Sequence, residues 1–100
     1  MIDLTKESFQ EFISSDSKVL VDFWATWCGP CQMQGKMLHQ AAEEDAAFGA
    51  KVGKLNVDDA VAIAMELGIS SIPTIMVVKN GEITFKQPGL MQKAQLEALL

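Results

Sequence analysis

The segment from residues 19 to 31, VLVDFWATWCGPC, constrains the fold of this chain more than any other part of its sequence. Its first half places β-branched, aliphatic and aromatic residues around a single carboxylate, Asp22, so both faces of an extended chain would be apolar. Apolar residues on both faces are typical of a strand that other elements cover on both sides. We therefore predict a central strand over residues 19–25.

Two cysteines follow this strand, three positions apart. Gly29 and Pro30 end the extended run, and the residues after them have helical composition, so Cys28 lies at a helix entrance and Cys31 in its first turn. Free backbone N–H groups and the helix dipole at a helix N-terminus stabilise a thiolate. Cys28 is therefore the expected nucleophile. Cys31, one turn away, is placed to attack a mixed disulfide formed on Cys28.

Length and charge limit the classes of protein to which the chain can belong. Its 100 residues match the commonest domain size, so we expect a single domain over residues 1–100. The net charge of -5, with eight lysines, no arginine and no basic cluster, argues against nucleic acid or an anionic membrane as a partner. No apolar run approaches the roughly 20 residues that are needed to span a bilayer.

The N-terminal residues and the cysteine content bear on the compartment. The opening segment, MIDLTKES, has neither a basic region nor an apolar core, so we expect a cytoplasmic protein; a mature chain whose signal was removed is the alternative. In a reducing compartment, a lone Cys-x-x-Cys pair is redox-active or binds a metal. Zinc would need two further ligands, and the chain offers only His39 and carboxylates, so we expect no metal site.

Strands and helices alternate along the rest of the chain. Strands are predicted at residues 2–4, 19–25, 52–57, 74–79 and 82–86, and helices after Thr5 and over residues 30–48, 60–67 and 92–100. Asp58 or Asp59 is the expected N-cap of the third helix. Met33 is among the residues of the second helix that we expect to face the sheet.

This alternation predicts an α/β architecture. Right-handed crossovers would make the first three strands parallel, and the Asn80-Gly81 turn would add an antiparallel hairpin at the edge. The expected result is a mixed five-stranded sheet with helices on both faces. Because ligands of open α/β sheets bind beyond the carboxyl ends of strands, Cys28 lies where a functional site is expected.

The cysteine motif and several later motifs resemble those of the thioredoxin family. VDFWATWCGPC is similar to the active-site region of that family, and the similarity continues in order and spacing through residues 54–58, 72–74, 79–82 and Gly89. The resemblance covers essentially the whole chain. It implies a thioredoxin fold with strand order 1-3-2-4-5 and four flanking helices. It also implies a general protein-disulfide reductase and electron carrier that a thioredoxin reductase recycles.

On this resemblance, the Cys28–Cys31 disulfide is itself the redox-active group, and we expect no separate cofactor and a monomeric protein. Cys31 must lose a proton before it attacks Cys28, and Asp22 is the candidate acceptor, because a carboxylate in an apolar strand is desolvated and its pKa rises. By similarity to the family, Asp22 exchanges that proton with Cys31 through water, and Lys54 is the charge beside Asp22. Lys54 would lower the pKa that burial raises, and the sequence leaves the balance open.

Pro73 marks a predicted contact surface for the substrate. In the family the equivalent proline is cis and faces the two cysteines, so the backbone of Ile72 would pair with an extended segment of the substrate. Recognition of main chain in this way tolerates many substrate sequences. The residues expected to form the flat apolar surface are Trp27, Gly29, Pro30, Ile72, Pro73, Gly89 and Leu90.

Other interpretations remain open at this stage. Asp22 and Lys54 could form a purely structural ion pair, and Pro73 could begin its strand with a trans peptide bond. An oxidant or isomerase would share the chemistry, but relatives of that kind usually have a histidine between the cysteines, where this chain has Gly29 and Pro30. A docking module without redox function is the third possibility. Replacement of both cysteines by serine separates it from the other two.

Overall fold

The computed structural model describes all residues from 1 to 100 and contains one five-stranded mixed sheet. The strands are β1 (Ile2–Leu4), β2 (Val19–Trp24), β3 (Val52–Asn56), β4 (Thr74–Lys79) and β5 (Glu82–Pro88). Their order is β1-β3-β2-β4-β5; β1, β2 and β3 are parallel, and β4 is antiparallel to both β2 and β5. Asn80 and Gly81 both have positive φ and form the hairpin turn. The predicted fold class, strand order and hairpin are therefore confirmed.

Five α-helices accompany the sheet, where four were expected. They are α1 (Phe9–Ile13), α2 (Gly29–Glu44), α3 (Ala46–Gly49), α4 (Val61–Glu66) and α5 (Lys93–Ala98), with a 3-10 turn at Val57–Asp59. The additional helix arises because the predicted second helix is interrupted at Asp45, whose backbone is extended. The Asp45 carboxylate accepts hydrogen bonds from the N–H groups of Ala47 and Phe48 and so caps a new helix. A membrane-spanning helix would need more length and more apolar residues than any of these helices has.

β2 lies in the centre of the sheet, and its side chains divide between the two faces. Val21 and Phe23 belong to the core cluster that includes residues of β1, α1 and β4. Leu20 packs on the opposite face with Leu38 of α2 and Leu96 of α5. Because successive side chains of a strand alternate, Asp22 shares the face of Leu20 and points towards α2. The prediction of a strand buried on both faces is confirmed.

Two local predictions are wrong. Asp58 and Asp59 lie within the 3-10 turn, so neither caps α4, whose N-cap is Ala60 without a side-chain hydrogen bond. Because these residues belong to the 3-10 turn, the helix begins only at Val61. Met33 does not face the sheet: it is 52% exposed, and its neighbour Gln34 is fully buried instead. The inward face of α2 starts from Cys31 and continues at Gln34, Leu38 and Ala41.

Candidate active site

The chain between β2 and α2 places Cys28 at the helix entrance, as the sequence predicts. A tight turn follows β2, in which the N–H of Cys28 donates to the carbonyl oxygen of Ala25 at 3.3 Å. Cys28 is the N-cap residue of α2 and has extended backbone angles, with Pro30 in the first helical turn. Proline is favoured there because its missing N–H would have no partner within the helix. The cysteine pair therefore lies just beyond the carboxyl end of the central strand.

Cys28 and Cys31 form a disulfide, with their Cα atoms 5.2 Å apart. The N–H of Cys31 donates to the Sγ of Cys28 at 3.2 Å, so this sulfur is the one that caps the helix. Exposed fractions are 6% for Cys28 and 2% for Cys31. After reduction, the same N–H group and the helix dipole would stabilise negative charge on Cys28, and Cys31 would be one turn deeper.

Asp22 is a fully buried carboxylate without a hydrogen-bond partner. Its exposed fraction is 0%, and neither carboxylate oxygen accepts a hydrogen bond from another protein group. Desolvation by burial raises the pKa of Asp22 from 3.8 to about 7, and the positive charge of Lys54 opposes this rise without cancelling it. The sequence left open whether burial or the charge of Lys54 controls the pKa of Asp22, and burial has the larger effect. A carboxyl group with this pKa can both accept and donate a proton near neutral pH.

Lys54 lies beside Asp22 in the sheet but does not form a contact ion pair with it. The register of the parallel β2–β3 pair places the two residues side by side. The three salt bridges of the structure involve other residues. Instead, the ammonium Nζ lies 4.5 Å from the centroid of the Trp24 ring, where the π-electron face attracts a cation. Lys54 therefore influences Asp22 through its charge and not through a direct salt bridge.

An open cleft connects solvent with the buried side of the redox pair. Its volume is about 390 Å³, and Cys31, Trp24, Gly35 and Lys54 contribute to its lining. Gly35 adds no side chain to this lining, and a Cβ atom there would be in van der Waals contact with the Nζ of Lys54, at 3.5 Å. Cys31 is among the residues that line the cleft, and Cys28 is not. The cleft therefore borders both Cys31 and Lys54, the residue beside Asp22 in the sheet.

The loop before β4 lies against the disulfide. The Ile72–Pro73 peptide bond is cis, as the resemblance implied, and the carbonyl oxygen of Ile72 is 3.8 Å from the Sγ of Cys28. The hydroxyl of Thr74 donates to the carbonyl oxygen of Ser71 at 2.6 Å and holds this loop closed. No backbone hydrogen bond within the protein uses the N–H or the carbonyl of Ile72. Both groups are therefore free to pair with an extended chain.

Further predicted contact residues surround the disulfide on separate segments. Trp27 is 70% exposed, and its indole Nε1–H donates to the carboxylate of Asp58 at 2.8 Å. This bond gives Asp58 a part in the site that sequence analysis missed, because the two residues lie in different loops. Gly89 donates its N–H to the carbonyl oxygen of Pro73 at 2.8 Å, which brings Gly89 and the 38% exposed Leu90 to the same region.

Gln34 is a second buried polar residue that sequence analysis missed. Its side-chain amide forms two hydrogen bonds with the backbone of Met91, beside the Gly89–Leu90 segment. Helical periodicity counted from Cys31 would have placed Gln34 on the inward face, because residues three positions apart share a side of a helix. No sequence signal identifies Met91 as its partner.

No group of three or more histidine, cysteine, aspartate or glutamate side chains is arranged to hold a metal ion. The site combines a cysteine pair at a helix N-terminus, a carboxylate with a pKa near neutrality, and a proline loop against the sulfur. This arrangement defines a thiol–disulfide oxidoreductase. The cysteine pair alternates between dithiol and disulfide as it exchanges with other disulfides.

Comparison with known proteins agrees with this class. The family model described as Thioredoxin matches residues 1–100. The chain is 48% identical to the thioredoxin of Porphyra purpurea over 98 residues, which cover 97% of this chain and 91% of the relative. It is 45% identical to the thioredoxin of Chlorobaculum thiosulfatiphilum over 92 residues, which cover 91% and 84% of the two chains. The chain belongs to the thioredoxin family, and it is a disulfide reductase that acts by dithiol–disulfide exchange through Cys28 and Cys31.

Replacement of Asp22 by asparagine should stabilise the oxidised protein in a pH-dependent way. Because burial raises the folded-state pKa of Asp22, unfolding releases a proton between pH 3.8 and about 7, and wild-type stability falls as the pH rises through this window. Asparagine has no charge to desolvate. We expect Asp22→Asn to raise the free energy of unfolding by about 2–4 kcal/mol at pH 8 and by much less at pH 4.

Denaturant titrations of both proteins at the two pH values measure this difference. The matched control is Asp16→Asn, which changes an exposed carboxylate in the same way and should give no such pH-dependent gain. An equal gain at pH 4 and pH 8 would contradict desolvation as the cause.

In the reduced protein, Cys28 should react with iodoacetamide near pH 7 at least about tenfold faster than Cys31, because a helix N-terminus favours the reactive thiolate. Mass spectrometry of peptides after timed quenching measures the two rates. The variants Cys31→Ser and Cys28→Ser should retain the fast and the slow rate, respectively. Equal labelling of the two cysteines would refute their assigned roles.

Proposed function

We propose that this protein is a general reductase of protein disulfides in the cytoplasm, a single-domain monomer that carries electrons from a thioredoxin reductase to its targets. Members of the thioredoxin family generally act with such a reductase and with disulfide substrates. The observation that carries the proposal is the capping of α2 by the Sγ of Cys28, because it supports the choice of this sulfur as the nucleophile. Gly29 and Pro30 between the cysteines support the reducing direction.

The first step forms a mixed disulfide between Cys28 and the target. The Cys28 thiolate attacks one sulfur of the target, a new sulfur–sulfur bond forms, and the other target sulfur leaves as a thiolate. The N–H of Cys31, which donates to the Sγ of Cys28 at 3.2 Å, helps to keep the attacking sulfur ionised. Cys31 stays protonated during this step, so it does not compete for the target.

The second step releases the reduced product. Cys31 gives its proton to Asp22 through water, and the pKa of about 7 makes the Asp22 carboxylate an effective acceptor near neutral pH. The resulting thiolate attacks the Sγ of Cys28, the mixed disulfide breaks, and the second target sulfur leaves. Two electrons have moved to the target, and Cys28 and Cys31 are joined as a disulfide. Lys54 acts by limiting how far burial raises the pKa of Asp22.

We further infer that the substrate binds as an extended segment across the disulfide. The unpaired backbone groups of Ile72 support this arrangement, since an added strand would hydrogen-bond to them and hold its cysteine over Cys28. Trp27, Gly29, Pro30, Pro73, Gly89 and Leu90 supply the apolar surroundings. The exposed indole of Trp27 is held by Asp58, which keeps this side of the surface in place. The acidic net charge is consistent with partners other than nucleic acid or an anionic membrane.

Reduction of insulin with NADPH and a thioredoxin reductase as the only electron source tests the proposed direction and partner together. We expect catalytic turnover by the wild-type chain and none by the variant with both cysteines replaced by serine. Turnover only with a small dithiol as reductant would exclude this reductase as the partner. A cellular effect that survives loss of both cysteines would favour the docking alternative.

Replacement of Asp22 by asparagine should slow product release more than formation of the mixed disulfide. Asparagine cannot accept the proton of Cys31, so the resolving step should fall by about 10- to 100-fold, while attack by Cys28 should change by less than about threefold. Single-turnover kinetics with a fluorescent protein disulfide separate the two steps. A loss confined to the first step would rule out Asp22 as the proton acceptor for Cys31.

A further inference from the structure

The side-chain amide of Gln34 binds both backbone groups of one residue. Its Nε2 donates to the carbonyl oxygen of Met91 at 3.0 Å, and its Oε1 accepts from the N–H of Met91 at 2.8 Å. Gln34 is 0% exposed and Met91 is 5% exposed, so water does not compete for these bonds. A single side chain thus replaces the pairing that a neighbouring strand would give to this part of the backbone.

These bonds anchor one end of the segment Gly89, Leu90 and Met91, which we call the rim segment. Its other end is anchored by Gly89, whose N–H donates to the carbonyl oxygen of Pro73 at 2.8 Å. Between the two anchors, the N–H and carbonyl of Leu90 form no hydrogen bond within the protein. The rim segment therefore presents a free stretch of backbone at a position held from both sides.

The anchor at Met91 comes from the helix that carries the redox pair. Gln34 follows Cys31 by three residues on the buried side of α2. Because α2 is continuous from Gly29 to Glu44, Gln34 holds the rim segment at a fixed position along the helix whose N-cap is Cys28. The anchor at Gly89 ties it in addition to the Ile72–Pro73 loop. The rim segment, this loop and the start of α2 are thus joined around the disulfide.

We propose that Gln34 is a positioning residue that determines how well the protein recognises extended peptide substrates. By holding Met91, it sets the separation between the rim segment and Cys28, and therefore the width of the groove in which a substrate chain lies. This inference rests on the proposed function, in which the substrate binds as an extended segment across the disulfide. A small disulfide without peptide backbone needs no groove and should be indifferent to Gln34.

Replacement of Gln34 by methionine tests this role. Methionine has a similar length but no amide, so both backbone groups of Met91 lose their partners and the rim segment relaxes towards solvent. For reduction of insulin, the variant should have a kcat/KM about tenfold lower than that of the wild type, mainly because KM rises. Its rate with dithiobis(nitrobenzoate), a small aromatic disulfide, should change by less than about twofold.

The ratio of the two rates corrects for any loss of folded protein, because an unfolded fraction lowers both equally. Gln40→Met is the matched control: it makes the same change at an exposed position of α2 and should leave both rates unaltered. Amide hydrogen exchange provides a readout without catalysis. The N–H of Met91 should lose protection in Gln34→Met, while that of Leu96 in α5 should keep it.

The possible outcomes distinguish a positioning role of Gln34 from a purely structural one. A reduced insulin rate with an unaltered small-disulfide rate and faster exchange at Met91 supports the proposal. Equal loss of both rates, or faster exchange at Met91 with an unaltered rate ratio, overturns it, because Gln34 would then be only structural. Failure of the wild type itself to reduce insulin would overturn the proposed function and the substrate groove with it.

Discussion

β2 is hydrogen-bonded to β3 on one edge and to β4 on the other, and the functional end of the molecule depends on this double pairing. A strand held on both edges and covered on both faces has little freedom of position. The start of α2 inherits that rigidity, because only a short turn separates Trp24 from the N-cap Cys28. The sulfur of Cys28 is therefore positioned by a strand that is paired on both edges.

Burial stabilises β2, and it also raises the pKa of the one carboxylate in this strand, Asp22. A carboxylate without hydrogen-bond partners inside a sheet lowers stability when it is ionised, and an apolar residue of similar size would fit this position at less cost. In exchange, its pKa of about 7 allows it to carry a proton near neutral pH. Lys54 moderates the effect from a position beside Trp24 and not from a salt bridge. In the proposed mechanism, this destabilising carboxylate is the group that accepts the proton of Cys31.

Strand direction explains why three distant segments meet at the disulfide. β4 runs antiparallel to β2, so the start of β4, with Pro73 before it, lies beside the end of β2. β5 runs antiparallel to β4, so the end of β5 and Gly89 after it reach the same place. The Gly89–Pro73 and Gln34–Met91 hydrogen bonds then join these loops to each other and to α2. Sheet topology brings the segments together, and a few polar contacts set their spacing.

The sequence by itself determined the features that rest on local patterns: the buried central strand, the helix that follows Cys28, the turn at Asn80-Gly81 and the spacing of the cysteines. Motif resemblance added the strand order and the cis bond before Pro73. Tertiary structure alone decided which effect controls the pKa of Asp22, which residue holds Trp27, and where the amide of Gln34 binds. The reason is physical. Periodicity and turn chemistry act between near neighbours in the chain, whereas desolvation and side-chain hydrogen bonding depend on residues that meet only after the sheet has formed.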